Sequence, residues 1–128
     1  YNYQKFQEWY DKDFDYFPLW VVPYTAPALY PWLSDEHQKR FGDTFFIDCA
    51  VYGKDNTHPK INYAELMEKK VFEFNGVKTL ISQNFYDEET FWKIYSKDRY
   101  RKIKQKTDPT NILGDLYAKV HPYKTIKK

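Results

Sequence analysis

Residues 44 to 76 constrain the fold most. They place a largely apolar extended run, TFFIDCAVY, shortly before a helix whose two ends are both marked. In the run, Phe45, Ile47, Cys49 and Val51 alternate onto one face and Phe46, Asp48, Ala50 and Tyr52 onto the other, which is the period of a strand. Gly53-Lys54-Asp55-Asn56 breaks it. The helix is predicted over 62 to 75. Asn62 is a good N-cap with Glu65 at capping-box spacing, and Ile61 and Leu66 stand at the staple positions. Tyr63, Met67, Val71 and Phe74 form one stripe, and Asn75-Gly76 supplies a left-handed stop. Glu65, Glu68, Lys69, Lys70 and Glu73 read as a solvated face.

The other elements follow from the same two periods. Residues 3 to 13 are helical, with Phe6, Trp9 and Tyr10 inward and Gln7, Glu8 and Lys12 outward. FPLWVVPYT, 17 to 25, is a strand with apolar residues on both faces, as in a strand buried on both sides, and Pro18 and Pro23 suit an edge or its ends. Residues 26 to 43 form a long connection in which Leu29, Tyr30, Trp32 and Leu33 cluster. A loop folded on the core is favoured there over a lid or a membrane-touching loop. A third strand is predicted over 77 to 85, polar at Ser82-Gln83-Asn84, where binding groups often sit as a strand leaves a sheet.

Asp87 caps a helix with Phe91, Ile94 and Tyr95 inward. A basic helix follows around 97 to 106, with Tyr100 and Ile103 inward and Arg99, Arg101, Lys102, Lys104 and Lys106 outward. Asp108-Pro109 ends it. Ile112, Leu113, Leu116, Tyr117 and Val120 mark a final helix, and the lysine-rich end is expected to fray. The order predicts an α+β, ferredoxin-like domain with a mainly antiparallel sheet covered by helices. It lacks the first strand of that unit and carries C-terminal helices.

Composition narrows the function. With 128 residues, 42% hydrophobic and 21% aromatic, the chain can bury a core and is no disordered tail. Four glycines leave no glycine-rich phosphate loop, and the single Cys49 leaves no disulfide or cysteine-based zinc site. A net charge of +2 does not point to nucleic acid. No apolar run reaches the length of a membrane span, and no signal peptide is legible, so localisation stays open. The chain opens on YNYQKF with no initiator Met, which predicts a piece of a longer protein. His37, His58 and His121 have no metal-ligand spacing, and His37 reads as a surface group.

Four stretches resemble FAD-dependent oxidoreductases of the vanillyl-alcohol-oxidase superfamily, in the branch that includes the delta(24)-sterol reductases. FPLWVVPY at 17 to 24 is similar to its (Y/F)P-x-W-x-x-P-(F/Y) segment, and TFFIDCAVYG at 44 to 53 to its (Y/F)-I-D-x-x-x-Y-G segment. FYDEETFWKIY at 85 to 95 resembles Tyr-x-x-x-x-Glu-Phe-Trp, and DPTNILGDLYAKV at 108 to 120 resembles the closing Asp-Pro…Leu-Tyr-x-Lys-Val pattern. Each is weak alone; together they stand in the right order.

The resemblance implies a cap or substrate-domain portion over 1–86 and a C-terminal helical tail over 87–128 that packs on the cap and on an N-terminal FAD-binding domain of the same protein. It implies hydride transfer between a small, apolar or polyol substrate and FAD, which that other domain holds. Chain 1–128 alone is not expected to be active. By position, Asp48, Ser82 and Asn84 would approach the flavin, with Gln83 close by. Some relatives carry a catalytic lysine near the position of Ser82; this chain has serine, so that mechanism is not carried over. No histidine or cysteine linked to the flavin can be placed. Asp48 is a proton donor or relay if burial raises its pKa, or else a structural carboxylate. Ser82, Gln83 and Asn84 suit hydrogen bonding rather than acid–base work. Another class remains open: a non-enzymatic module in which Trp20, Tyr24, Tyr30 and Trp32 form a platform for a sugar or lipid.

Overall fold

The computed structural model describes residues 2–25, 31–41 and 44–121. In chain order its elements are α1 (Asn2–Trp9), a π-helical turn (Tyr10–Phe14), β1 (Leu19–Thr25), α2 (Asp35–Gln38), β2 (Phe45–Val51), α3 (Tyr63–Glu73), α4 (Glu88–Ile94), α5 (Lys97–Thr107) and α6 (Leu116–Val120). They fall into two compact units: Tyr1–Leu29 with Phe41–Lys78, and Tyr30–Arg40 with Thr79–Lys128. The α+β class is as the sequence predicts. No helix among the described residues is long and apolar enough to cross a membrane.

The first unit is built on rings. Phe6, Tyr10 and Phe14 are buried, and Leu19, Cys49 and Val51 of the sheet and Tyr63, Leu66, Met67, Val71 and Phe74 at α3 pack against them. The π-helical turn closes where the Asp15 amide donates to the Tyr10 carbonyl at 2.9 Å, with Asp15 left-handed at φ +43°. β1 and β2 pair antiparallel from Leu19↔Val51 to Thr25↔Phe45. Opposite residues in such a pair share a face, so Leu19, Val51 and Cys49 look into the core while Trp20, Val22, Tyr24, Phe46, Asp48 and Ala50 share the other face.

Both ends of α3 form as their sequence demands. The Asn62 side chain accepts from the Glu65 amide at 3.1 Å. At the far end the Gly76 amide donates to the Val71 carbonyl at 2.8 Å and the Asn75 amide to the Phe72 carbonyl at 3.0 Å, the Schellman pattern, with Asn75 left-handed at φ +59°. Glu68 departs from the expected solvated face. It is buried and meets Lys78 Nζ at 2.7 Å, because the chain turns back along the helix after Gly76.

Three expectations for the sheet change. β1 is not buried on both faces: Trp20 stays 59% exposed and, on the other face, Val21 40%. Residues 77–85 form no strand, and the sheet among the described residues has two strands. The parallel crossover needed for the ferredoxin-like order is therefore not formed among them. The physical reason lies in the polar end of the segment. Asn84 Oδ1 accepts from the Tyr86 amide at 3.1 Å, a local turn that competes with a ladder, and Ile81 is left 85% exposed.

The second unit buries Leu33, Tyr86, Phe91, Ile94 and Tyr95. Leu33 bridges Tyr95, the Trp32 ring stacks on the Tyr95 ring at 5.3 Å, and α2 packs on α4. Trp32 and Leu33 therefore fold onto a core; Leu29 and Tyr30 lie outside the described residues. The Lys124 to Lys128 end also lies outside them. Ser34 caps α2 by accepting from the His37 amide at 3.0 Å, and this short turn carries His37 inward, so it is buried rather than a surface group. Arg99 also turns inward, donating to the Leu33 carbonyl at 2.9 Å and to Asp35 at 2.6 Å.

The end of α5 is organised by Asp108. Its carboxylate pairs with Lys104 and accepts from the Ile112 amide at 2.8 Å and the Leu113 amide at 3.0 Å. Lys104 also donates to the Gly114 carbonyl at 2.5 Å, so it does not project outward as the basic run suggested. Because these amides close a turn, the last helix begins only at Leu116. Ile112 and Leu113 face solvent instead of the core, as does Ile103.

Two outcomes are expected. A Cβ on Gly76 would lie 2.7 Å from Val71 Cγ1 and 3.0 Å from the Val71 carbonyl oxygen. Gly76→Ala should therefore lower unfolding stability by about 1–3 kcal/mol, the usual cost of overpacking, and a loss below about 0.5 kcal/mol in urea denaturation would show that the turn yields. The Asp108 carboxyl is held below the usual carboxylate range, first by Lys104 and then by the Leu113 and Ile112 amides, against the opposing effect of burial. A carboxyl lowered on folding adds stability above its unfolded pKa of about 3.9 and loses it as pH falls through the folded value. Protection of the Ile112 and Leu113 amides from exchange should thus hold at pH above about 4 and fall below it. Asp108→Asn should remove that dependence.

Candidate functional site

Two surfaces carry the residues singled out from the sequence, one in each unit. In the first, Asp48 lies near the middle of β2, opposite Val22, on the face not used by the core. It is exposed, so water satisfies its charge without a buried partner. Around it stand Trp20, Val22, Tyr24, Phe46 and Ala50. The Tyr24 and Phe46 rings are 5.9 Å apart, and Phe41 meets Phe46 edge-on at 4.9 Å. This is an apolar, aromatic surface with one carboxylate set into it. It suits a flat apolar molecule that presents one polar group.

Cys49, next to Asp48, points the other way. Burial, and secondarily the Asp48 charge, push its thiol up to about 11. It stays protonated at neutral pH and is no nucleophile.

In the second unit Ser82, Gln83 and Asn84 share one turn. Ser82 and Gln83 are exposed, while Asn84 is fully buried. The Asn84 amide donates to the Val120 carbonyl at 2.7 Å, tying the turn to the end of α6. Its Oδ1 accepts from Tyr86, but Nδ2 finds no acceptor among the described residues. Two further buried atoms, Trp92 Nε1 and His121 Nδ1, are also unpaired. His121 follows Val120 directly and stacks on Tyr117 at 4.9 Å. Tyr117 donates to the Tyr86 carbonyl at 3.1 Å, and its ring meets Phe91 at 5.2 Å. Burial first, then the Glu88 and Asp87 charges, hold the Tyr117 phenol above its ordinary value, so it keeps its proton and remains a donor.

The arrangement offers hydrogen-bonding groups. An amide and an indole offer donors, and a histidine offers either polarity by tautomer. Tyr86, Trp92, Tyr117 and His121 were not singled out as site residues from the sequence. Tyr117 reads there as helix core, and His121 as a terminal residue, because nothing local reveals the turn at Asn84 that meets them. No group of His, Cys, Asp and Glu able to hold a metal ion occurs among the described residues.

Comparison with known proteins places the chain near one enzyme. It is 24% identical over 117 residues to a delta(24)-sterol reductase of Homo sapiens, and equally to that of Macaca fascicularis, covering 87% of this chain and 21% of each relative. It is 22% identical to a delta(24)-sterol reductase of Arabidopsis thaliana, covering 88% of this chain and 23% of that protein. The chain thus spans about a fifth of the length of the curated relatives it matches. No family model matches it, and no solved structure matches it.

Asn84→Ala removes the acceptor for the Tyr86 amide inside a buried turn. It should cost about 1–3 kcal/mol of stability, read by tryptophan fluorescence in urea, whereas exposed Ser82→Ala should stay within about 0.5 kcal/mol. Equal effects from the two would remove the distinction between an anchored and a free side chain on this turn.

Proposed function

We propose that the chain is the C-terminal, substrate-side part of an FAD-linked oxidoreductase of the delta(24)-sterol reductase type. The observation that carries this is the likeness to those reductases over most of the chain. Residues 1–86 then serve as the cap portion and 87–128 as the tail that meets the flavin domain of the same polypeptide.

The residues present agree with a division of labour. Only four glycines occur, and no phosphate cradle is available, so FAD belongs to the other domain. That cofactor supplies the hydride chemistry, and the protein around it orients and tunes. The aromatic sheet face around Asp48 suits an apolar, ring-shaped substrate. Asp48 would hold or deliver a proton at its carboxylate once substrate and the flavin domain cover it, since covering raises a carboxyl pKa. Asn84 Nδ2, a buried donor without an acceptor, is suited to a carbonyl oxygen, with Ser82 and Gln83 on the same turn.

A second reading is favoured by one observation. Trp20 and Tyr24 stand exposed on the same sheet face, as on a platform for a sugar or lipid in a protein that does no chemistry. Trp32 does not join them; it is stacked on Tyr95.

The full-length protein that contains this tail should show flavin absorbance bands after purification. In it, Asp48→Asn should keep those bands and slow flavin reduction by substrate about 10²-fold, in the range of a lost general acid or base. A colourless full-length protein that also fails to bind added FAD would overturn the oxidoreductase reading and leave the binding platform.

A further inference from the structure

In the first unit three rings of the core cluster, Phe14, Tyr16 and Tyr63, also meet a cation. Lys54 follows Gly53 at the start of the loop from β2 to α3. Its ammonium stands 4.3 Å from the centre of the Tyr63 ring, 4.8 Å from that of Tyr16 and 5.5 Å from that of Phe14. Three rings thus converge on one cation, all within the distance at which the negative ring face attracts a positive charge.

Lys69, Lys70, Lys78, Lys93, Lys97 and Lys104 each pair with a carboxylate. Among the described residues Lys54 makes no such pair, although Asp55 is its neighbour in sequence.

The rings are held without Lys54. Phe14 stacks on Tyr10 at 5.0 Å and meets Trp9 at 5.6 Å and the edge of Tyr63 at 5.7 Å. Tyr16 is fixed by its hydroxyl, which donates to the Tyr52 carbonyl at 3.2 Å, and by its carbonyl, which accepts from the Tyr10 hydroxyl. The Tyr63 amide donates to Asn56 Oδ1 at 2.7 Å, and Asn56 in turn donates to Asn62 at 3.0 Å. The cage is therefore preorganised, and Lys54 reaches it because Gly53 takes a left-handed turn at φ +78°.

We propose that Phe14, Tyr16 and Tyr63 form a binding site for a methylated ammonium group, which the chain's own Lys54 occupies as a tethered competitor. A quaternary ammonium suits such a cage better than a primary one, because it loses less hydration on entering and presents methyl groups to the rings. An entering ligand must displace Lys54. Displacement would release the start of the loop that Lys54 pins beside α3, so the site couples occupancy to the mobility of residues 53 to 61. None of this depends on the flavoenzyme reading, since the cage uses neither FAD nor Asp48 and its neighbours on the sheet face.

The probe is tetramethylammonium chloride, followed through the ring signals of Tyr16 and Tyr63 by nuclear magnetic resonance in the whole chain. Lys54→Ala should bind it about tenfold more tightly than the unaltered chain, since an internal competitor lowers apparent affinity by the fraction of time the cage is free. In the unaltered chain a saturating concentration should shift the same ring signals and speed amide exchange at residues 53 to 61. tert-Butanol, similar in size but neutral, should bind neither. Lys54→Met, which refills the cage without charge, should keep the fold and bind no better than the unaltered chain. Choline in solution and phosphatidylcholine vesicles then separate a soluble ligand from a lipid headgroup, and binding of either supports the site. Equal binding of tert-butanol and tetramethylammonium would overturn the proposal, because the cage would then be only apolar. So would the absence of any ring shift in the unaltered chain at saturating tetramethylammonium, or in a folded Lys54→Ala.

Discussion

The first unit depends on the burial of three rings, Phe6, Tyr10 and Phe14, from a single helical stretch. A two-stranded sheet is marginal by itself in water, since it has one layer and two open edges. Here one face of β1 and β2 closes against those rings through Leu19, Cys49 and Val51, while α3 closes from its own stripe. On the opposite sheet face Trp20, Val22 and Tyr24 stay exposed. The Lys54 cage shares Phe14 with that core, so core and cage are two uses of one ring.

The second unit solves a different problem, that of short helices. α2, α4 and α6 are each too short to stand alone, since the first helical turns are costly to form. Each is instead capped and tied. Ser34, Asp87 and Asp115 cap them with side-chain oxygens, and Asp108 gathers Lys104 and two loop amides at the end of α5. The polar groups left over, Asn84 Nδ2 among them, are costly where nothing accepts from them. A site that orients a ligand leaves donors in this state until the ligand is present. That is why Asn84 belongs in the proposal for function while its backbone belongs to the fold.

Much of this was legible in local sequence. The period of TFFIDCAVY, the Asn62 cap, the Asn75-Gly76 stop, the Asp87 cap and the break at Asp108-Pro109 are all features that neighbouring residues decide. Where the expectation failed, the deciding partner lay far along the chain or the local chemistry had two outlets. Ser82-Gln83-Asn84 is compatible with a strand end, but Asn84 closes a turn on Tyr86 and gives its amide to Val120. Glu68 looks like any charge on a helix surface until Lys78 folds back on it. Ile112 and Leu113 have the apolar character of core residues. The two amides are claimed by Asp108, and the side chains turn outward.

The sequence by itself determined the α+β class, the extended runs that become β1 and β2, the capped ends of α3 and, through four short motifs, the likeness to sterol reductases. The class, the strands and the helix ends rest on period and capping, which act over a few residues; the likeness rests on the motifs. The tertiary structure alone decided which face of β1 is open, that Asn84 is buried with an unpaired donor, that His37 turns inward and that Lys54 sits among three rings. Each of these depends on groups distant in sequence meeting in space. Burial and ring geometry arise only when the chain closes on itself, and no local pattern encodes them.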